Sequence, residues 1–148
     1  MNKFMKEAIK EATKGIECGH GGPFGCVIVK DNKIIARGHN EVLKKKDATC
    51  HGEMVALRKA MKKLNTFDLS GASLYTTGEP CPMCMGAILW SNISKVYYGC
   101  NTIDTEIIGF RDEAFYKFDR STFLEEIDRD ECLKLYEKYK NIKDKIPY

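Results

Sequence analysis

Three side chains of types that bind metal ions stand out in the sequence. His51 lies upstream of Cys81 and Cys84, and the two cysteines are close together in segment 80–84, which also contains two prolines. Cysteines at this spacing can bind one ion from a single helical turn, and the prolines favour a turn into that helix. An imidazole with two thiolates is a ligand set typical of zinc, with a fourth position left for water. We therefore predict one zinc ion per chain, bound by His51, Cys81 and Cys84.

A carboxylate lies close to this predicted zinc site. Glu53 follows shortly after His51, and if His51 begins a helix the two side chains point in different directions. Glu53 would then face the water rather than bind the ion. Zinc lowers the pKa of a coordinated water to about 7, and a carboxylate beside it can accept the proton and pass it on. Such a site is suited to hydrolytic deamination, in which water attacks an amidine-like carbon and ammonia leaves.

Hydrophobic periodicity predicts the elements that must position these residues. Apolar residues at steps of three and four predict helices, and apolar runs between turns predict strands. The predicted helices are residues 5–16, 51–64, 82–90 and 128–146, and the predicted strands are residues 24–29, 33–37, 73–77, 95–99 and 116–118. A hairpin followed by alternating helices and strands indicates a sheet with helices on both faces. The predicted fold class is therefore α/β, a three-layer α/β/α sandwich.

Length, charge and cysteine content restrict the class of protein. The chain has 148 residues, which predicts a single domain, 1–148, and its net charge of +3 does not indicate a nucleic-acid-binding protein. No apolar run approaches the roughly 18 residues of a membrane span, and the charged N-terminal segment does not resemble a secretion signal. In such a chain, seven cysteines indicate thiols or metal ligands rather than disulfides. We expect a cytoplasmic protein without a membrane partner.

The order of these motifs is similar to the signature of the zinc nucleoside and nucleobase deaminases, H-x-E followed by P-C-x-x-C. The chain has His-Gly-Glu at 51–53 and Pro-Cys-Pro-Met-Cys at 80–84. A structural or redox Cys-x-x-Cys would contain the same cysteines, but the His-x-Glu upstream would then be a coincidence. The resemblance implies a zinc-dependent aminohydrolase.

Within these deaminases, the chain resembles the bacterial guanine deaminases of the cytidine-deaminase fold. The matching positions are residues 21–25, Asn40, 81–84, 86–88, Trp90, 109–112, 115–118 and Tyr148. The resemblance implies a mixed five-stranded sheet and the conversion of guanine to xanthine and ammonia in purine catabolism. It also implies a homodimer, in which the C-terminal segment of one subunit can close the site of the other.

The same resemblance assigns roles to residues outside the predicted metal site. Asp112 would act as a second proton shuttle and contact the purine. Asn40 would hold the base through its amide group. Phe24 and Trp90 would shape the pocket, and Tyr148 would cover it.

Two positions depart from the pattern of the guanine deaminases. Gly52 stands where the family usually has alanine, and His-Gly-Glu also resembles certain cytosine deaminases. Arg111 stands where the family often has an acid, and a cation beside Asp112 is expected to lower the pKa of that carboxyl group. These departures leave the type of reaction unchanged but bear on the choice of substrate.

Three alternatives to guanine deamination follow from the sequence. A tRNA adenosine-to-inosine deaminase would share the zinc motif, and lysines 44–46, 59, 62 and 63 could form its basic RNA-binding surface. A cytosine deaminase is the second alternative. A non-catalytic binding module that is stabilised by zinc is the third, although Glu53 would then have no structural reason to accompany the ligands.

The C-terminal segment predicts a contact between subunits. Its apolar residues alternate at steps of three and four over 128–146, which predicts a helix with one apolar face. We expect this helix to be exchanged between subunits or packed at a dimer interface, and packing within its own chain is the alternative.

Overall fold

The computed structural model describes all 148 residues, which divide into two compact units, Met1–Tyr116 and Lys117–Tyr148. The elements of the first unit are α1 (Lys3–Glu17), β1 (Gly25–Lys30), β2 (Lys33–His39), α2 (Val42–Lys45), α3 (Gly52–Leu64), β3 (Ser73–Gly78), α4 (Pro82–Trp90), β4 (Lys95–Cys100), α5 (Thr102–Ile107) and α6 (Asp112–Tyr116). The second unit contains α7 (Arg129–Lys140). No helix of the structure combines the length and the apolar character that crossing a membrane would require.

One mixed sheet forms the centre of the first unit, with the strand order β2-β1-β3-β4. β1 pairs antiparallel with β2 and with β3, whereas β3 pairs parallel with β4. The predicted hairpin between β1 and β2 is confirmed. Its turn residues Asp31 and Asn32 have positive φ angles of 49° and 59°, which suit a two-residue turn between twisted strands. The parallel pair needs a crossover, which contains α4.

Alternate side chains of β1 pack against helices on opposite faces of the sheet. Ile28 belongs to a buried cluster with Leu57 of α3 and Ile88 of α4. Val27 points to the other face and packs in a second cluster with Ala8 of α1. Because successive strand residues face opposite sides, this one strand supplies both cores. The structure therefore has the three layers predicted from the sequence.

The prediction of a fifth strand is wrong, because the sheet has four strands. Residues 116–118 were predicted to form a strand. Instead, Tyr116 ends the short helix α6, and residues 117 and 118 follow it in the chain. Two acidic residues, Asp112 and Glu113, occupy the first turn of α6, where negative charge is favourable to a helix. The Tyr116 hydroxyl donates a hydrogen bond of 2.8 Å to the carbonyl oxygen of Pro80, which ties this helix to the segment before α4.

In the second unit, α7 is shorter than the predicted helix 128–146. It ends at Lys140 with Asn141 as its C-cap, and Lys138 and Lys140 lie in its last turn, where positive charge is favourable. Large apolar side chains of this unit are exposed, among them Leu135, Tyr136 and Ile146.

Candidate metal and active site

The first residues of two helices bring the predicted metal ligands together. His51 is the N-cap of α3, and Cys81 is the N-cap of α4, with Pro82 in the first turn. Both caps have extended backbone angles, so their side chains leave the helix axis. Cys84 follows in the first turn of α4. The prediction that His51 begins a helix and that Glu53 lies inside it is confirmed.

The distances between the three ligand atoms suit one zinc ion. The Nδ1 atom of His51 lies 3.6 Å from the Sγ atom of Cys81 and 3.6 Å from that of Cys84. In a tetrahedral site with Zn–N near 2.0 Å and Zn–S near 2.3 Å, a nitrogen and a sulfur ligand lie about 3.5 Å apart. The cysteines are buried and His51 is half-buried. These residues therefore fit the ion in both donor type and spacing.

The pKa values of the two ligand thiols are shifted in opposite directions. A hydrogen bond from Cys84, with a further one from His51, lowers the pKa of Cys81 to about 4. The hydrogen bond to Cys81 and burial raise the pKa of Cys84, and the nearby charge of Glu53 adds to this effect. Ionisation of Cys81 thus opposes ionisation of Cys84. A divalent cation would stabilise both thiolates, as the zinc sites of proteins do.

Glu53 lies beside the ligand cluster rather than within it. Its side chain is buried, with one carboxyl oxygen accepting a hydrogen bond of 3.2 Å from the hydroxyl of Thr76 on β3. The other carboxyl oxygen lies 3.6 Å from the Sγ atom of Cys84. Burial raises the pKa of Glu53, and the thiolate of Cys81 raises it further. A carboxyl group whose pKa is moved towards neutrality is suited to accept and return a proton.

A cavity of about 670 Å³ opens onto these groups. Its aromatic wall is formed by Phe24, Phe110 and Phe115, and the rings of Phe24 and Phe110 meet edge to face with centroids 4.9 Å apart. Gly22 lies against this pair, because a Cβ atom there would be 2.6 Å from the Phe110 ring. The volume and the apolar walls with few polar groups are typical of a small-molecule site.

Asn40 lines the same cavity from the end of β2. Its backbone N–H donates to the carbonyl oxygen of Phe24 at 2.8 Å, and its Oδ1 atom accepts from the N–H of Val42 at 3.0 Å. With the oxygen engaged in this way, the amide nitrogen is the group that Asn40 can offer to a bound molecule.

Asp112 also lines the cavity, at the start of α6. Burial raises the pKa of this carboxyl group, and the thiolate of Cys81 adds to the increase. The expectation that Arg111 lowers this pKa is therefore wrong. The guanidinium of Arg111 lies over the ring of Phe115, with Cζ 5.3 Å from the ring centroid.

One predicted substrate-binding residue of the first unit, Trp90, lies outside this cavity. Trp90 ends α4 with 65% of its surface exposed, and it is absent from the cavity wall. Tyr148 belongs to the second unit. Their roles in substrate binding stay predictions.

The sequence analysis assigned no role to three contributors to the site. Thr76, which hydrogen bonds Glu53, is a fully buried polar residue of a strand, and its inward position in the alternation of β3 was a usable signal. Glu79 and Phe115 line the cavity from segments without clear periodicity. The two residues come together only through the tertiary fold.

Gly52, the departure noted in the sequence, has a packing explanation. A Cβ atom at this position would lie 2.9 Å from the carbonyl oxygen of Phe24, too close for an ordinary contact. The glycine thus lets the start of α3 approach the backbone beside the cavity wall.

Comparison with known proteins gives a family and several relatives. Residues 1–100 match the family model described as "Cytidine and deoxycytidylate deaminase zinc-binding region". The guanine deaminase of Bacillus subtilis (strain 168) is 47% identical over 114 residues, which cover 77% of this chain and 73% of that protein. The tRNA-specific adenosine deaminase of the same organism is 48% identical over 96 residues, which cover 65% of this chain and 59% of that protein.

Among solved structures, the guanine deaminase from Bacillus subtilis matches with a TM-score of 0.92 at 39% identity. The match covers 100% of this chain and 99% of that one.

The metal ligands can be tested by replacing Cys84 with serine. We expect Cys84→Ser to weaken zinc binding by more than roughly 100-fold, because a neutral hydroxyl is a poor substitute for a thiolate. Competition with a chromophoric chelator measures this affinity. Cys18→Ser is the matched control, since this cysteine is exposed at the end of α1 and should leave one zinc ion bound per chain. A Cys84→Ser protein that keeps one zinc ion and full activity would disprove the ligand assignment.

Proposed function

Since the chain belongs to the cytidine and deoxycytidylate deaminase zinc-binding family, we propose that this zinc-dependent deaminase converts guanine and water to xanthine and ammonia. The observation that carries the choice of guanine is the similarity to the Bacillus subtilis guanine deaminase structure, which extends over the whole chain. It includes residues 110–115, which contribute Phe110, Asp112 and Phe115 to the cavity. The similarity to the tRNA deaminase of the same organism covers a smaller part of the chain.

His51, Cys81 and Cys84 would hold the metal ion of this reaction. Bound there, zinc supplies a Lewis acid that lowers the pKa of water to about 7. Glu53, buried beside the ligands, accepts the proton released from water and delivers it to the ring nitrogen next to the carbon under attack. Its raised pKa and its fixed hydrogen bond to Thr76 support this role.

Asp112 acts on the leaving group. It lines the cavity from the first turn of α6, and its raised pKa favours a carboxyl group that can donate a proton. We propose that it protonates the departing amino group, so that ammonia rather than an amide anion leaves, and that it recovers a proton from the hydroxyl group on the attacked carbon as that group becomes the carbonyl of xanthine.

The base is bound by a polar group and by aromatic rings. The free amide nitrogen of Asn40 donates a hydrogen bond to a carbonyl oxygen of the base, while Phe24 and Phe110, whose rings meet edge to face, provide apolar contacts for its ring. We retain Trp90 and Tyr148 as additional substrate-binding residues, on the basis of their match to the guanine deaminase pattern alone.

The basic surface that tRNA binding would need is partly neutralised. Lys45 pairs with Glu41 at 2.9 Å, and Lys44 lies 3.6 Å from the same carboxylate. The ammonium group of Lys59 donates a hydrogen bond to the backbone carbonyl oxygen of Arg37. With these lysines engaged, guanine deamination is the better-supported activity, and tRNA or cytosine deamination is the alternative.

We further propose that the protein is a homodimer of the cytoplasm. The first unit exposes large apolar side chains at Leu89, Trp90 and Ile107, and the second unit exposes others along α7. Apolar surface of this extent is typical of protein contacts, which supports a role for the C-terminal segment in the dimer, exchanged or packed at the interface. The seven free cysteines are compatible with a reducing compartment.

The substrate can be tested by measuring ammonia release from the zinc-loaded protein. We expect release from guanine at a rate far above that from cytosine, adenine or cytidine, and none from an adenosine-containing tRNA anticodon stem-loop. Release from the stem-loop alone would contradict guanine deamination and would direct attention to the lysines. Cytosine as the preferred substrate would contradict it as well.

The role of the C-terminal segment can be tested by truncation before Asp128. Light scattering should give the mass of a dimer for the full chain and that of a monomer for the shortened one. Circular dichroism is the control that the remaining residues stay folded. A mass per particle that corresponds to the same number of subunits in both proteins would remove this segment from the interface.

A further inference from the structure

A second cluster of titratable side chains lies away from the metal ligands. His39, at the end of β2, is buried, and its Nδ1 atom lies 3.0 Å from a carboxyl oxygen of Glu11 on α1. The Nε2 atom of the same ring lies 2.8 Å from Nδ1 of His20, in the loop before β1. We call Glu11, His39 and His20 the imidazole chain. The guanine-deamination chemistry described above uses none of these three side chains.

The two imidazole rings meet end to end. The planes of the two rings differ by 20°. The ring centroids are 5.1 Å apart, which equals the 2.8 Å between the two nitrogens plus the distance from centroid to nitrogen within each ring. The two nitrogens therefore face each other along a common axis, as in an N–H···N hydrogen bond.

This arrangement excludes a shared metal ion, even though Glu41 also lies nearby. Two imidazoles that bind one zinc ion each place a lone pair on it at about 2.0–2.1 Å, so an ion cannot fit between nitrogens that face each other at hydrogen-bond distance. Glu41 is instead paired with Lys45.

The proton positions in the imidazole chain follow from its first member. The carboxylate of Glu11 can only accept, so Nδ1 of His39 carries the proton and Nε2 is left as an acceptor. Nδ1 of His20 must then be the donor to His39. Burial and the charge of Lys44 lower the pKa of His20, which favours its neutral form. One carboxylate thus fixes the tautomer of His39 and, through it, the orientation of His20.

The imidazole chain joins the two loops that form one wall of the cavity. The backbone carbonyl of His20 accepts hydrogen bonds from the N–H groups of Leu43 and Lys44, at 3.0 and 3.2 Å. His39 directly precedes Asn40, whose N–H is bonded to the carbonyl of Phe24. The loop before β1 and the segment after β2 are therefore held together on both sides of Asn40.

Two glycines make room for this arrangement. A Cβ atom on Gly15, inside α1, would lie 2.8 Å from the ring of His39. A Cβ atom on Gly21 would lie 2.1 Å from Oδ1 of Asn40. A glycine within a helix is less stable than an alanine would be, so Gly15 is a stability cost that accommodates the imidazole.

We propose that Glu11, His39 and His20 are positioning residues that hold the Asn40 amide in the orientation that binds the substrate base. The proposal rests on the base contact of Asn40 in the proposed function. No hydrogen bond links the side chains of the imidazole chain to Glu53 or to the metal ligands, so its effect is expected on binding of the base rather than on proton transfer.

Two substitutions of His20 test the proposal in the zinc-loaded full chain. His20→Leu removes the donor to His39 and should raise KM for guanine about tenfold, with kcat within about twofold of the unsubstituted protein. His20→Asn places an amide N–H near the position of Nδ1 and should restore KM to within about threefold. Equal KM values for His20→Leu and the unsubstituted protein would overturn the proposal, as would a loss in His20→Leu that His20→Asn does not restore.

A double substitution separates this proposal from the proposed function. Asn40→Ala should itself raise KM, and His20→Leu should have no further effect in that background. No effect of Asn40→Ala would remove the base contact from the proposed function. A raised KM in Asn40→Ala, followed by an equal further increase on adding His20→Leu, would overturn the positioning role while leaving the base contact intact.

The tautomer can be observed without any substitution, which keeps the proposal testable if His20→Leu does not fold. Nitrogen-15 spectra of the histidine side chains should show Nε2 of His39 as an unprotonated acceptor and Nδ1 of both rings as protonated. The opposite tautomer of His39 would overturn the proposal. So would a second equivalent of bound zinc that shifts the His20 and His39 signals.

Discussion

The constraint on which this structure depends is the meeting of two buried thiols, an imidazole and a buried carboxylate. Hydrogen bonds lower the pKa of Cys81, whereas the hydrogen bond to Cys81, burial and the charge of Glu53 raise the pKa of Cys84. A zinc ion would relieve this conflict and leave Glu53 as the one acidic group of the cluster that is not a ligand. Burial raises the pKa of Glu53 and of Asp112, and the nearby charge of Cys81 adds to both shifts, so the metal ligands and the proton carriers share one buried, negatively charged environment.

The fold meets this constraint with the starts of two helices beside a sheet. His51 caps α3 and Cys81 caps α4, and both helices pack on the same face of the sheet in one hydrophobic cluster. Extended backbone at each cap lets the side chain turn away from its helix and towards the other. The hydroxyl group of Thr76 on β3 donates a hydrogen bond to the carboxylate of Glu53, so a strand as well as both helices determines the geometry of the site. Helix α1, which covers the opposite face of the sheet, provides Glu11 of the imidazole chain.

The parts of the site that depend on residue type and local spacing could be predicted from the sequence. His51, Glu53, Cys81 and Cys84 were found in this way because metal chemistry restricts which side chains can serve, and the hairpin followed from Asp31-Asn32. Helix α6 was missed, since its few residues show no period and are held by a contact between Tyr116 and Pro80 that is distant in sequence. The expected fifth strand failed for the same reason.

Long-range contacts also explain two electrostatic features that were not predicted correctly from the sequence, the pKa of Asp112 and the pairing of His20 with His39. Arg111 neighbours Asp112 in the chain, yet its guanidinium lies over Phe115, and burial decides the pKa of the acid. His20 and His39 have no recognisable ligand spacing, and only the packing of α1 and the loop before β1 against β2 joins them. Local sequence therefore predicts the chemistry of the site, whereas the groups that tune it come from tertiary packing.

The central claim is that Glu53 carries protons and does not bind the metal. The measurement that tests it most directly is the zinc content and the rate of ammonia release of the same Glu53→Gln protein, with guanine as substrate. We expect one zinc ion per chain and a kcat that is lower by a factor of about 10²–10⁴. The glutamine amide keeps the size of the side chain but cannot accept the proton. Normal turnover with zinc bound would contradict the assignment, and loss of the zinc ion itself would show that Glu53 is a ligand.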